Sequence, residues 1–389
     1  MENVSSSPTG AAPSPPSPPP PPPLAAPPAI QPPAPSAPRK RNGWKIFAIV
    51  LLVILVLGGI LGTIGLFSSF ALFQTPYAAL GTGPRLEEVL VEDHDSRAKI
   101  ALVEVQGIIA SEIVDPGGFN MVDIIKAQLK RAAEDNKVKA VVLKVDSPGG
   151  EVLASDEINK AVAQFQKDSG KSVVASMGNL AASGGYYVSV ASRWIVANEM
   201  TLTGSIGVIM GTWNYRGLMD KVGIRPFTYK SGKFKDMLSG SRDPDKIPPE
   251  EAEMLNGLIN EVFGQFKTVV ATGRDNAAKA NAKAGKDAGR TLSEDWEKFA
   301  DGRVMSGTEA FKLGFVDELG NFDKATARAR KLAGIHDANV VRYQRHFDLV
   351  DFFRFFGKTE TRAVKVDLGI ELPKLNTGQL YFLPPTYLH

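Results

Sequence analysis

From Ile46 to Phe73 the chain carries no charged side chain, running Ile-Phe-Ala-Ile-Val-Leu-Leu-Val-Ile-Leu-Val-Leu-Gly-Gly-Ile-Leu-Gly and onward. At about 1.5 Å per residue such a run exceeds the ~30 Å hydrocarbon core of a bilayer, so one helix would span it with tilt to spare. It is too long for the apolar core of a cleaved leader and begins well inside the chain, which reads as an uncleaved anchor. Arg39, Lys40, Arg41 and Lys45 crowd its N-terminal side, and the other side has no Lys or Arg until Arg85. The positive-inside rule then leaves the N-terminal arm in the cytoplasm and the large C-terminal part across the membrane, with Trp44 at headgroup level.

The arm itself, residues 1–43, holds most of the proline, including the run Pro18 to Pro23, with little charge and few apolar side chains other than Ala. Such a composition cannot bury a core and predicts an extended, polyproline-like, disordered segment: a spacer, or a docking strip for aromatic-lined partners. The chain has no cysteine, which excludes disulfides, thiolate metal sites and a cysteine nucleophile. Its formal net charge is +3, and the basic residues after the anchor alternate with acidic ones, so nothing in the pattern points to nucleic acid.

After a connector over 74–98, rich in Pro and Gly and then acidic, strands and helices alternate. Strands are expected at Lys99–Val105, Val138–Val145, Ser172–Ala175, Trp194–Ala197 and Ile206–Met210. Helices are expected at Met121–Glu134, Glu151–Gln166, Pro249–Val270, Ser306–Leu313 and Phe322–Leu332, the last closed by Gly334. This rhythm predicts an α/β domain with a parallel sheet layered by crossover helices. Val138–Val145, apolar except for Lys139 and Lys144, should be buried on both faces.

Three glycine-rich turns punctuate that sheet. Asp146-Ser147-Pro148-Gly149-Gly150 follows the buried strand, and its freed amides could hold a developing oxyanion. Gly178-Asn179-Leu180-Ala181-Ala182-Ser183-Gly184-Gly185-Tyr186-Tyr187 reads as a strand, a tight turn and a helix, with the Ser183 hydroxyl at the helix mouth. The third turn is Thr203-Gly204-Ser205-Ile206-Gly207. A nucleophilic serine needs a base, and none of His94, His336, His346 and His389 lies between the first turn and the long helix. Sequence distance alone leaves a histidine base open; the other amine able to take the proton is a lysine whose ammonium is disfavoured by burial, and Lys230-Ser-Gly-Lys233-Phe-Lys235-Asp236 offers three. This stretch lacks the upstream glycine of a phosphate-binding loop.

These ordered motifs, with Asp301-Gly302-Arg303-Val304-Met305-Ser306-Gly307 and Leu313-Gly314-Phe315-Val316-Asp317-Glu318-Leu319-Gly320, resemble signal peptide peptidase A over about Lys99 to Ile335. The likeness is to the short, single-domain form of that family of membrane-anchored serine peptidases. It implies a ClpP/crotonase-like fold of layered parallel sheets, a peptidase domain at 99–335 and a C-terminal extension at 336–389. It further implies Ser183 as nucleophile and Lys235, with Lys233 as runner-up, as general base. Gly150 and Gly184 would supply oxyanion amides, and Ser205 would position the lysine. No cofactor or metal is implied. Substrates would be apolar, membrane-derived peptides such as signal-sequence remnants. The short form assembles into rings whose neighbouring subunits share each site. The expected location is a bacterial cytoplasmic membrane, with one span over 44–73 and the catalytic part outside.

Two other readings remain: a non-catalytic scaffold of the same fold, and crotonase-like acyl-CoA chemistry, which export disfavours. The tail ends Leu380-Tyr381-Phe382-Leu383-Pro384-Pro385 after a phenylalanine cluster at Phe347, Phe352, Phe353, Phe355 and Phe356. It either packs on the core or a neighbour, or lies in a substrate groove.

Overall fold

The computed structural model describes residues 45, 47–58, 83–113, 118–283, 285, 287, 289–345 and 379–383. The proline arm, Trp44 and most of the expected span lie outside the described residues. Residues 47–58 are helical, and no helix among the described residues is long and apolar enough to cross a membrane. The second unit of the chain begins at Gly81 and carries the sheet and the motifs.

Its strands are β1 (Leu86–Glu92), β2 (Lys99–Gln106), β3 (Val138–Ser147), β4 (Gly150–Glu151), β5 (Ser172–Ala182), β6 (Trp194–Ala197), β7 (Leu202–Gly204), β8 (Ile209–Met210), β9 (Val304–Ser306), β10 (Glu318–Leu319), β11 (Asn339–Arg345) and β12 (Leu380–Phe382). Its helices are α1 (Met121–Glu134), α2 (Val152–Ser169), α3 (Gly184–Ser189), α4 (Arg216–Lys221), α5 (Pro249–Lys283), α6 (Gly307–Lys312) and α7 (Phe322–Ala333). The main sheet runs β1-β11-β2-β3-β5-β6-β10, parallel from β11 to β10 and antiparallel at the β1 edge. This is the expected parallel α/β architecture, and it is consistent with a ClpP-like peptidase fold.

Alternation along β3 explains why that strand is apolar throughout. Val141, Leu143 and Val145 face one core, with Ile125 and Leu129 of α1 and Ile158 and Val162 of α2. Ala140 and Val142 face the other, with Ala325 and Ala329 of α7. A strand covered by helices on both sides has no solvent face to mark with polar residues. Local signals set the helix ends: Asn120 and Asp123 form a reciprocal capping box before α1, and Gly170 and Gly334 close α2 and α7 in the left-handed conformation.

Several elements differ from the sequence expectation for tertiary reasons. β5 does not stop at Ala175 but continues to Ala182, because β7, which the pattern did not show, pairs with its distal half at Leu180–Ala182. Gly178, read as part of a turn, lies inside the strand, where a side chain would stand 2.9 Å from Asp146 Cγ. The strand expected at Ile206–Met210 shrinks to β8. α5 runs on from Val270 to Lys283. The supposed connector 74–98 contains β1, and β11 lies past residue 335, so the sheet reaches beyond the 99–335 span at both ends.

The extra turns of α5 are held by a buried ion pair. Phe266, Val270, Arg274, Ala277 and Asn281 line its buried stripe, and Gly273 meets the carbonyl of Val190 just after α3. Arg274 Nη1 donates to Asp317 Oδ2 at 2.8 Å, Nη2 to the Arg290 carbonyl at 2.9 Å and Nε to the Gly314 carbonyl at 3.1 Å. Asp317 also accepts from the amides of Ile195 and Arg290. Burial disfavours the Arg274 cation, but the facing Asp317 carboxylate outweighs that and raises its pKa. Removing one partner strands the other charge in the core. Asp317→Ala should therefore lower stability by about 3–5 kcal/mol, read as a shift of the urea midpoint; a loss under about 1 kcal/mol, the range of exposed pairs, would show that the pair is not a strut.

Candidate active site

The carboxyl ends of β3 and β5, neighbours in the sheet, carry the first two glycine turns. Ser147 pairs with Ala181, so Pro148-Gly149-Gly150 and Ser183-Gly184-Gly185 leave the sheet side by side. The crevice beyond the carboxyl ends of parallel strands is where open α/β sheets take their ligands.

Ser183 occupies the single residue between β5 and α3, at φ 53° and ψ −115°. A non-glycine residue held there is strained and must be fixed by its surroundings. Its amide donates to the Gly204 carbonyl at 2.8 Å, and its carbonyl accepts from the Tyr187 amide at 2.8 Å. Serine is a favoured helix cap, yet this side chain makes no capping bond. The residue is buried, 1% exposed. The backbone is thus clamped on both sides while the hydroxyl is not committed to the helix.

The glycines beside it are required by close backbone approach. Gly149 has φ +106°, and a methyl group on it would stand 1.9 Å from the Phe382 carbonyl oxygen and 2.6 Å from the Gly184 amide nitrogen. A methyl on Gly184 would stand 2.7 Å from Ser155 Oγ, 3.0 Å from Gly149 Cα and 3.1 Å from the Gly150 amide nitrogen. The amides of Gly150 and Gly184 therefore border one small space, at the amino end of α3. Two more contacts brace it: the Gly149 amide donates to Ser147 Oγ at 3.0 Å, and the Leu180 amide to Asp146 Oδ1 at 3.1 Å.

The third turn joins the same cluster. Gly204, whose carbonyl holds the Ser183 amide, precedes Ser205, itself at φ 50° and buried. The Ser205 amide donates to the Arg303 carbonyl at 2.7 Å, so the Asp301–Ser306 motif, through β9 on β7, supports this turn.

Lys235 belongs to the segment between α4 and α5. It is exposed, and its amide donates to the Gly232 carbonyl at 3.3 Å. Around it, Lys230 pairs with Asp236, whose carboxyl that hydrogen bond holds below the usual range, and Lys233 pairs with Glu250. Arg242 reaches Glu251, and the Tyr215 amide reaches the Gly240 carbonyl. Among the described residues, none of these bonds crosses to Ser183 or Ser205. The structure brings Ser183, Ser205, Gly150 and Gly184 together, while Lys235 and Lys233 are exposed and, among the described residues, their hydrogen bonds and ion pairs stay within residues 230–250.

One component was not assigned from the sequence. Phe382 stacks on Tyr187 with ring centroids 4.9 Å apart and tilts against Phe266 at 4.5 Å, directly behind the glycine turns. The aromatic richness of the tail was the available signal, but only the fold shows that Tyr187, one helical turn past Ser183, forms its partner.

A serine at such a bend, with two backbone amides beside it, is an arrangement suited to acyl transfer. Comparison with known proteins places the chain in that class, as a serine peptidase. The profile described as "Peptidase family S49" matches residues 165–336. "Putative signal peptide peptidase SppA" of Enterococcus faecium is 36% identical over 68% of this chain and 72% of its own length. "Putative protease slr0021" of Synechocystis sp. is 39% identical over 63% and 78%, and "Protease 4" of Salmonella typhi 34% identical over 66% and 38%. The chain belongs to peptidase family S49, the SppA family of serine peptidases.

Gly149 gives a local test. Gly149→Ala, forced to φ +106° against two backbone atoms, should cost about 1–3 kcal/mol and abolish peptide cleavage, while Gly257→Ala, exposed in α5 with nothing within 4 Å, should stabilise by up to about 1 kcal/mol. Thermal melting with a peptide assay reads both; an unaffected Gly149→Ala protein would remove the close approach from the site.

Proposed function

We propose that this chain is a membrane-anchored endopeptidase that uses a Ser183/Lys235 dyad to cleave apolar, membrane-derived peptides, signal-sequence remnants among them. The observation that carries the reading is Ser183 clamped at its strained bend with the amides of Gly150 and Gly184 on one side. Neutral Lys235 takes the proton of Ser183 Oγ as that oxygen attacks the scissile carbonyl. The resulting oxyanion lies against the Gly150 and Gly184 amides, and the ammonium returns the proton to the leaving amine. Water then hydrolyses the acyl-enzyme by the same route. Ser205, next to the turn that holds Ser183, positions the lysine amine by hydrogen bonding. The SppA name of one relative supports the substrate class. The charge-free run 46–73 behind Arg39, Lys40, Arg41 and Lys45 supports an anchor in a bacterial cytoplasmic membrane with the peptidase outside.

A lysine serves as base only where burial disfavours its ammonium, and Lys235 is exposed in the single chain. The segment bearing it is also unusually apolar on its surface, with Phe227 82% and Tyr229 96% exposed beside exposed Trp213, Leu218 and Ile224. Such a patch on a peptidase outside the membrane fits a second copy of the chain as its cover. Lys235 is then delivered to the Ser183 of a neighbour, in a ring of shared sites.

Ser183→Ala and Lys235→Ala should each abolish cleavage of an apolar reporter peptide with unchanged melting. Mixing the two inactive proteins under conditions that let subunits exchange should restore about a quarter of the wild-type sites, as random assembly of a shared site requires. Equal cleavage by wild type and both variants would return the non-catalytic scaffold, and inert mixtures would confine the dyad to one chain.

A further inference from the structure

Between α2 and α5, at the link from α3 to β6, lies a cavity of about 530 Å³. α5 lines it with Gln265, Thr268, Thr272 and Asn276, whose spacing of three or four residues puts them on one face of the helix. α2 contributes Asn159 and Lys167, and Ser192 and Arg193 of the link complete it. Among the described residues no acidic side chain lines this cavity, whereas Lys167, Lys171 and Arg193 do. A smaller cavity of about 350 Å³ shares Lys171, Ser172 and Arg193 with it and adds Lys139.

Elsewhere in the domain buried cations face carboxylates, as Arg274 faces Asp317 and Arg328 faces Glu318. Arg193 has neutral acceptors instead: Nε donates to Asn281 Oδ1 at 2.9 Å, Nη1 to Ser172 Oγ at 3.1 Å and Nη2 to the Ala280 carbonyl at 3.3 Å. One N–H on each of its terminal nitrogens is left over. Burial lowers its pKa with no carboxylate opposing the shift. Lys171 Nζ donates to the carbonyls of Ala132, Ala133 and Asp135 at 2.7, 2.9 and 2.9 Å, so it adds charge to the cavity without a spare donor. Ser192 is 1% exposed, and its hydroxyl has no hydrogen-bond partner. A buried hydroxyl in that state calls for an acceptor.

We propose that this cavity binds a phosphate monoester of a small hydroxylated molecule, either a soluble ester or the same headgroup on a lipid. Its oxygens take the spare N–H groups of Arg193, the Ser192 hydroxyl and the Lys167 ammonium, while the hydroxyls and amides of α5 meet the carrier. Cations without a counter-charge match a monoester, with a charge of about −1.5 to −2 and three acceptor oxygens, better than a single carboxylate. The volume lies in the ordinary range of small-molecule sites, about 300–1,000 Å³. Asn159 and Gln166, both in the lining, donate to the carbonyls of Tyr187 and Ala191 at 2.7 Å. Occupancy therefore ties α2 and α5 together around the far end of the helix that begins beside Ser183, and it raises stability whatever the role of that serine.

The test uses the delipidated full chain in an uncharged detergent, titrated by calorimetry with glycerol 3-phosphate and with inorganic phosphate at constant ionic strength. Glycerol 3-phosphate should bind with a Kd of about 1 mM or tighter and raise the melting temperature, and inorganic phosphate should bind more weakly. Lys167→Gln and Ser192→Ala should each weaken the ester by about fivefold or more and Arg193→Gln by about tenfold or more. Lys130→Gln, an exposed charge on α1 outside the cavity, should change it by less than about twofold. Lys167 is exposed, so its variant carries the test if Arg193→Gln does not fold. Reconstitution in phosphatidylcholine bilayers with and without phosphatidic acid separates the two sources. A lipid headgroup in the site should weaken glycerol 3-phosphate by about tenfold, as when it occupies nine molecules in ten, and unchanged affinity assigns the site to a soluble ester. No saturable binding below about 20 mM, or binding that all three cavity variants leave unchanged, would overturn the site. Equal affinity for inorganic phosphate and the ester would overturn the role given to α5.

Discussion

The backbone approach of Gly149 to Gly184 is the constraint on which the site depends. Two strand ends, β3 and β5, must leave the sheet together and turn within a few residues, and no side chain fits between them. That closeness brings the Gly150 and Gly184 amides to one space and sets Ser183 at its edge. A shape made of backbone cannot relax by choosing another rotamer, so the amides are preorganised before any substrate arrives, which is what makes such donors effective in a dry site.

The rest of the fold holds that junction still. The strained Ser183 conformation persists because its amide and carbonyl are both bonded and because α3 behind it is wholly buried. Tyr186 of α3 donates its hydroxyl to the Phe315 carbonyl, two residues before Asp317. Burial pushes that phenol's pKa well up, keeping it a neutral donor. Asp317 in turn fixes Arg274 of α5, and Gly273 lets α5 close on Val190. The late glycine motif and the long helix therefore brace α3, which follows Ser183, through one connected set of buried polar contacts.

Much of this was legible in the sequence, and the boundary between what was and what was not is physical. β3 and the helices α1 and α7 announce themselves by period, caps and closing glycines, all local signals. Ser183, Gly150, Gly184 and Ser205 stood out as small residues in ordered motifs, and the fold brings all four to one place. The distal half of β5 was hidden because Gly178-Asn179 is a turn signal by composition, while pairing with β7 and the Asp146 carboxylate make it a strand. β1, β11 and β12 were missed for the same reason: each is specified by partners far away in the sequence, as when β11 joins β2 and β12 joins β4. Lys235 was legible as a motif residue, but its place in a single chain could not be read from spacing.

The two unusual surfaces of the chain can be understood together. One is the slot between β4 and β8, filled by the chain's own tail; the other is the apolar, lysine-bearing segment from Trp213 to Tyr229 and Lys235, left open. Exposed strand edges invite unwanted pairing. In the single chain β12 covers one such edge by pairing with both β4 and β8, and the other surface stays exposed.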